Sequence, residues 1–331
     1  MNLRTLAMIG IAVAALPVAR AGAEPVSDPA AIWTLQGENA KLAFGALTDH
    51  FYTNGLRVGW TSPAGDVPDF LGSLGRSLWG GGAQRVGLGV SQQIYTPCDT
   101  ALVTPDPRDR PYAGILTANV TLLSDTADTR DLAVLSLGVV GPDAGAEPVQ
   151  NGFHHLIGHA NARGWEAQIP NTPAIEALSE RTWRLPIATF AGLETDALPA
   201  LTAGVGTVRD YVQAGVTLRL GQGLQSDFGV PRIRPGLSGE DAYVPTRPFA
   251  WYVFAGANGQ AVGYDLLLQS APFRSGPHVS PVWDVGEVQA GVAVIVHGVR
   301  LTAAYVAQTQ EFEGQRGGLH QFASLSLSVR F

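Results

Sequence analysis

The chain closes on Leu319-His320-Gln321-Phe322-Ala323-Ser324-Leu325-Ser326-Leu327-Ser328-Val329-Arg330-Phe331. Successive side chains of a strand point to opposite faces. Ala323, Leu325, Leu327, Val329 and Phe331 therefore share one face, and Phe322, Ser324, Ser326, Ser328 and Arg330 the other. A soluble sandwich would bury the oily face and wet the hydroxyls. In an exported chain, a strand running to a terminal aromatic reads instead as a membrane stave, apolar toward lipid and polar toward a lumen.

The other end of the chain supplies the export signal. Arg4 forms a short basic region, Leu6–Val18 an apolar core, and Ala21-Gly22-Ala23 a small-residue cleavage site. The expectation is a signal peptide over 1–23 and a single barrel domain over 24–331. No later stretch has the apolar length of a membrane-spanning helix, so a helical membrane protein is excluded. Charged residues are only 15% of the chain and glycines number 40, a composition that departs from a soluble domain in the same direction. Removing Arg4 and Arg20 takes the net charge from −7 to −9, which argues against a nucleic-acid partner. Cys98 is the one cysteine. It rules out an internal disulfide framework and reads as a small packing residue.

Two-residue alternation recurs about twelve times, giving an all-β chain: a transmembrane antiparallel β-barrel of about twelve strands with a short extracellular helix. The clearest strands are Arg85–Tyr95, Tyr211–Leu220, Val285–His297, Val299–Gln308 and the closing one. Trp33–Asn39, Tyr52–Thr61, Ala113–Leu123, Arg130–Val140, Glu180–Leu185, Leu198–Gly206 and Phe249–Gln260 complete the set. An even count with both termini on the periplasmic side puts segments 40–51, 96–112 and 141–178 outside. Asp125–Thr129 and His297-Gly298 are then periplasmic turns. The connections near 62–84 and 221–248 are longer than periplasmic turns should be, and Asp69–Trp79 reads as a helix within the first. Arg57, Arg219, Arg300 and Arg330 fall on inward faces, where they could fill a pore. Trp33, Trp60 and Trp165 are expected at interface height.

The third outer segment carries the richest chemistry. Pro148 suits a first helical turn, and Val149–His159 reads as helix, with Gln150 and His154 one turn apart on one side. Histidine titrates near neutrality and is suited to take a proton from water; a surface helix with incidental histidines reads the same way. His155 and His159, at i and i+4, have zinc spacing but lack further ligands. Asn39 ends the first strand and Thr53 begins the second. An Asn side chain can bind a cation or donate to an oxyanion, and either residue can equally satisfy backbone at a strand end. Asp109–Arg110 reads as a local ion pair shaping the second outer loop.

Several short motifs run in order along the mature chain: Glu38-Asn39, Tyr52-Thr53-Asn54-Gly55, Gln93-Ile94-Tyr95-Thr96-Pro97, Asp109-Arg110-Pro111-Tyr112-Ala113-Gly114, Gly141-Pro142-Asp143-Ala144-Gly145, Val149-Gln150-Asn151 with His154, and Gly164-Trp165 with Gln168. On these the chain resembles the outer-membrane lipid A 3-O-deacylase family of Gram-negative bacteria. The resemblance implies a twelve-stranded barrel in the cell outer membrane, with lipid A or lipopolysaccharide and membrane lipid as partners. The activity implied is calcium-assisted hydrolysis of the ester-linked acyl chain at the 3-position. By the same resemblance His154 is the base, Thr53, Asn39 and Gln150 are active-site residues, and Asn39 and Glu38 are the candidate Ca²⁺ ligands.

The chain departs from the family pattern at three places. Ala40 stands where an Asp follows the Asn, Ala160 where an acid follows the His by six, and Leu102-Val103 where a Lys-Arg pair lies. Glu38, Asp49 or Asp99 are the candidate replacement acids, and Arg57 or Arg108 the candidate bases for lipid phosphates. The competing readings are a catalytically inactive structural or binding barrel, and a pore.

Overall fold

The computed structural model describes residues 28–40, 50–233, 241–271 and 275–331; the expected signal peptide and Asp49 lie outside them. Thirteen strands form one antiparallel sheet: β1 (Ile32–Asn39), β2 (Phe51–Thr61), β3 (Ala83–Thr96), β4 (Ala113–Asp125), β5 (Thr129–Val140), β6 (Thr172–Trp183), β7 (Leu185–Phe190), β8 (Leu193–Gly206), β9 (Arg209–Gln222), β10 (Phe249–Asp265), β11 (Asp284–Val296), β12 (Val299–Gln308) and β13 (His320–Arg330). β6 and β7 continue one another across Arg184 and both pair with β8. They make one stave, so the barrel has twelve. β1 pairs with β13 from Ile32–Arg330 to Asn39–Ala323, which leaves no open edge. Lipid offers backbone groups no partner, and a closed sheet meets that demand. Among the described residues no helix is long and apolar enough to cross a membrane.

The faces divide as the alternation requires. Leu325 and Leu327 of β13 are exposed, while Phe322, Ser324, Ser326 and Ser328 are buried inward. Eleven of the twelve staves match their sequence reading to within a few residues. The exception is β6, read as Glu180–Leu185 but beginning at Thr172, so the third outer segment ends at 171 instead of 178. Glu176 and Glu180 line the lumen. Carboxylates on an inward face, with Pro173 near the strand start, hide the alternation that a hydrophobicity count detects.

The two long terminal-end connections have separate explanations. The first carries α1 (Asp69–Trp79), as its pattern predicts. The described parts of the second, 223–233 and 241–248, turn into the barrel. Gln36 donates to the Pro231 carbonyl at 2.9 Å, and Arg232 reaches Glu38 and Glu287 near the loop end. The chain then descends: Asp241 accepts from Arg57 at 2.9 Å, Ala242 from Arg130 at 3.0 Å, and Tyr243 donates to Gly298 at 2.6 Å. Asp227 sits between Arg219 (2.7 Å) and Arg300 (3.3 Å) and accepts from Tyr252. Arg330 and Arg85 meet at Asp28 beside the termini. Arg57, Arg219 and Arg300 thus anchor a plug built from the chain itself, and Arg330 ties the last strand to Asp28. At the loop end, Arg110 pairs with Glu311 at 2.5 Å, and Tyr52 packs edge-on to Phe322. A cavity of about 160 Å³ remains inside, lined in part by Glu176, Glu180 and Arg232.

Two predictions follow from this filling. Removing one partner of a buried ion pair leaves an uncompensated charge costing about 3–5 kcal/mol, so Asp227→Ala should lower the unfolding midpoint in urea. Burial alone would raise the Asp227 carboxyl, but Arg219 and Arg300 hold it below the ordinary value. Its contribution to stability is therefore complete at neutral pH and lost as pH falls through that lowered value, and a pH series on both proteins should show the difference shrinking in acid. In planar bilayers the native chain should give no steady conductance; porin-sized openings would contradict a sealed lumen.

Candidate functional site

The segment between β5 and β6 turns through Pro142–Ala144 into α2 (Ala146–Leu156). The helix starts earlier than its pattern reads and ends earlier too, because Gly158 takes the left-handed conformation (φ 69°) that ends helices. His159 therefore lies past the helix, edge-on to His154 at 4.9 Å, and the i, i+4 zinc geometry with His155 is lost. Among the described residues no three His, Cys, Asp or Glu side chains group as a metal site.

Ala146, Gln150 and His154 form the buried stripe of α2. It faces the outer wall of β3 and β4. The close approach depends on Gly114, where a Cβ would lie 2.4 Å from that of Ala146. Gln92, on the outward row of β3, donates to the Ala144 carbonyl at 2.6 Å. The following loop holds the helix from the other side. Asn151 accepts from the Ala162 N–H (2.8 Å) and donates to the Ala162 carbonyl (3.2 Å). Trp165 Nε1 donates to Gln150 Oε1 at 2.9 Å, and its ring lies 4.8 Å from that of Tyr112. Trp165 is thus buried as the anchor of this loop and is not at the lipid interface, whereas Trp33 is exposed on the outer wall.

His154 is only 2% exposed, with Nδ1 2.7 Å from the Ala160 carbonyl. A donating Nδ1–H leaves the lone pair on Nε2. One turn earlier, Gln150 Nε2 is buried without a hydrogen-bond partner among the described residues. Val149, Phe153 and Leu156 are exposed on α2, and Leu102 and Val103 are exposed on the second outer loop.

The remaining candidates separate. Asn39 donates to Asn54 Oδ1 at 3.3 Å across the β1–β2 pair. Asn54 was not among the candidate site residues; counting the β1–β2 register would have found it. Glu38 faces the opposite way, as adjacent strand residues must. It accepts from Tyr52 at 2.8 Å and pairs with Arg232 in the lumen. Glu38 and Asn39 therefore cannot share one ion. Thr53 lies at a bulge in β2 and its hydroxyl meets that of Thr96 at 2.7 Å. Arg110 bonds Glu311 and not Asp109, whose carboxylate accepts the N–H groups of Cys98 and Arg110. The reason is distance across the barrel mouth: folding brings Glu311 to Arg110, and Asp109 is taken by its own turn. Arg57 is committed to Asp241. Arg108 stays at the surface, and its hydrogen bonds hold the Asp106 carboxyl down at about 2. Burial pushes the Cys98 thiol up to about 11, consistent with a packing residue.

The family model for the outer membrane protein LpxR matches residues 6–331. This chain belongs to the LpxR family of outer-membrane proteins. It resides in the outer membrane of a Gram-negative bacterium, so the loop end is extracellular. Among solved structures, LpxR from Salmonella typhimurium aligns at a TM-score of 0.75 with 22% identity, covering 91% of this chain and all of that one. The β domain of the Bordetella autotransporter BrkA is far less similar, at a TM-score of 0.43 and 12% identity over 92% of this chain and 98% of that one. No curated protein matches.

Calcium asks for about six to eight oxygens, carboxylates prominent among them. In this LpxR-family barrel the described residues do not fit that demand. Glu38 is turned into the lumen, Ala40 and Ala160 carry no side-chain oxygen, the Ala160 carbonyl is hydrogen-bonded to His154, and Asp99 Oδ1 accepts the Ala101 N–H on an exposed loop. What lies beside His154 on the buried stripe of α2 is the neutral amide of Gln150.

The docking of α2 is testable apart from any activity. Gly114→Ala introduces a Cβ against Ala146, an overpacking of about 1–3 kcal/mol. Limited proteolysis should cut the 141–171 segment faster, while the barrel keeps its heat-modifiable migration. An unchanged cleavage rate would mean that this contact does not hold the helix.

Proposed function

We propose that this chain hydrolyses an ester of lipid A at the outer leaflet, in the manner of a 3-O-deacylase, with His154 as general base. The observation that supports this most is a buried imidazole, oriented through Nδ1, on a helix clamped to the outside of the barrel at its extracellular end. Beside it lies the unpartnered Nε2 of Gln150. A polar donor kept buried and unpaired is costly, and a substrate oxygen would relieve it.

In this reading, His154 Nε2 takes a proton from water as the water oxygen attacks the ester carbonyl carbon. The carbonyl π pair moves to oxygen, and the Gln150 amide donates to it, with Asn39 as a further donor. Collapse breaks the bond to the sugar oxygen. The imidazolium returns its proton to that leaving oxygen, giving a fatty acid and a sugar hydroxyl. Thr53 holds the β2–β3 strand tips that frame the site. The apolar Leu102, Val103, Val149 and Phe153 would meet acyl chains where a basic pair would meet phosphate. No step runs through calcium, because the described donors do not fit it. Thermal unfolding should accordingly be the same in calcium and in EDTA, and a calcium-dependent rise would bring the metal back.

The deciding experiment is mass spectrometry of lipid A from a deacylase-free Gram-negative host expressing the chain or its His154→Ala variant. Loss of one ester-linked acyl chain is expected with the native protein only, the variant being slower by roughly 10²–10⁴-fold. Equal hydrolysis by the variant would sink the assignment. The second reading is a non-catalytic structural or binding barrel. It is favoured by the commitment of Glu38 to the lumen and the alanines at 40 and 160. Unchanged lipid A from a folded native barrel would select it.

A further inference from the structure

The apolar wall is uneven around the barrel. On β9, the outward residues Val212, Ala214, Val216, Leu218 and Leu220 form an unbroken apolar row. At about 3.3 Å per residue and a tilt near 40°, such a nine-residue row spans roughly 23 Å of membrane, close to the band an outer-membrane barrel needs. On β3 only Leu88 and Val90 of the outward row are bare. Gln92 and Ile94 lie under the α2 segment. At the periplasmic end, Gln84 and Val86 are buried although they face out, as are Leu122 and Ser124 on β4. The same arithmetic gives about 8 Å of bare wall for the three residues Leu88–Val90, roughly a third of what lipid requires.

α1 covers the periplasmic end of this stripe. It packs against β4, and Gly72 and Gly75 are the helix residues buried there. Their lack of side chains lets the Gln84 amide approach: a Cβ on Gly75 would lie 2.6 Å from its Nε2. Beside that contact, Phe70, Leu74 and Leu78 recur at every fourth position and are 71%, 48% and 47% exposed. Ser73, Arg76 and Ser77 occupy the remaining arc, with Arg76 bonded to Ser73. One face thus fits the barrel, one is oily and one is polar, which is the pattern of a helix lying in a membrane interface.

We infer that α1 is an interfacial helix that beds Phe70, Leu74 and Leu78 among the acyl chains of the periplasmic leaflet. It restores the height that the strands lack on this side. The occupant follows from continuity: the exposed row of α1 extends the lipid-facing belt of β2–β5, and the missing height of roughly 15 Å is divided between the α2 segment at the loop end and α1, a helix about 10 Å across, at the periplasmic end. Arg76, on the polar arc, is placed to meet phospholipid headgroups.

The test uses the mature chain with Cys98→Ser, carrying Leu74→Cys or Ser73→Cys labelled with an environment-sensitive fluorophore. Each is reconstituted in phosphatidylcholine vesicles with and without 5-doxyl-phosphatidylcholine. The label at 74 should be blue-shifted, quenched by the doxyl lipid and protected from iodide, with the reverse at 73. Leu78→Cys supplies a second reading should either variant fail to fold, as judged by heat-modifiable migration. A label at 74 that iodide reaches and the lipid quencher does not would overturn the inference. So would shielding from both quenchers, which would put a protein surface on this face.

Discussion

Closure of the sheet between β1 and β13 is the constraint on which the rest of the molecule depends. Every backbone donor and acceptor at membrane depth must be paired, and only the last strand meeting the first achieves that. Closure then forces an inside. Alternation sends serines, threonines, arginines and carboxylates there, and an enclosed charge is tolerable only if it is paired. The 223–248 segment supplies the pairing. Asp227 neutralises Arg219 and Arg300, Asp241 neutralises Arg57, and Arg232 brings a positive charge to Glu38 and Glu287. A barrel wall with arginines on its inner face and a long periplasmic loop that brings Asp227 and Asp241 to them are two halves of one design.

With the lumen filled, the candidate site lies on the outside of the wall. α2 is docked on β3 and β4 through a glycine in the wall and an alanine on the helix, and the following loop holds it through Trp165 and through the Ala162 backbone bonded to Asn151. His154 is thereby buried without being inside the barrel. A substrate that is itself part of the membrane can reach such a site laterally, and no deep pocket is required. The helix also exposes Val149, Phe153 and Leu156, and under the proposed function lipid and protein together would enclose the reacting groups.

Much of this was legible in the residues. The closing strand, the inward arginines, α1 and the pairing of Gln150 with His154 on one helical side all follow from periodicity. What escaped did so for identifiable reasons. The start of β6 was hidden because Glu176 and Glu180 are lumenal and do not look like a strand of a hydrophobic sheet. Arg110 was given the wrong partner because Glu311 is 201 residues away in the chain. Trp165 was expected at the interface because aromaticity alone does not distinguish an anchor from a belt residue. Glu38 was offered as a metal ligand beside Asn39, although strand geometry already places neighbours on opposite faces.

The sequence by itself determined the class of object: the number of staves, which face meets lipid, and which residue types line the interior. These are local properties, fixed by a period of two and by the solvation cost of backbone and charge. Only the tertiary structure decided that the lumen is closed by the chain's own loop. It alone decided that Glu38 meets Arg232, and that His154 is buried against the outer wall. Those outcomes depend on contacts between segments far apart in the chain, whose distances no local pattern encodes.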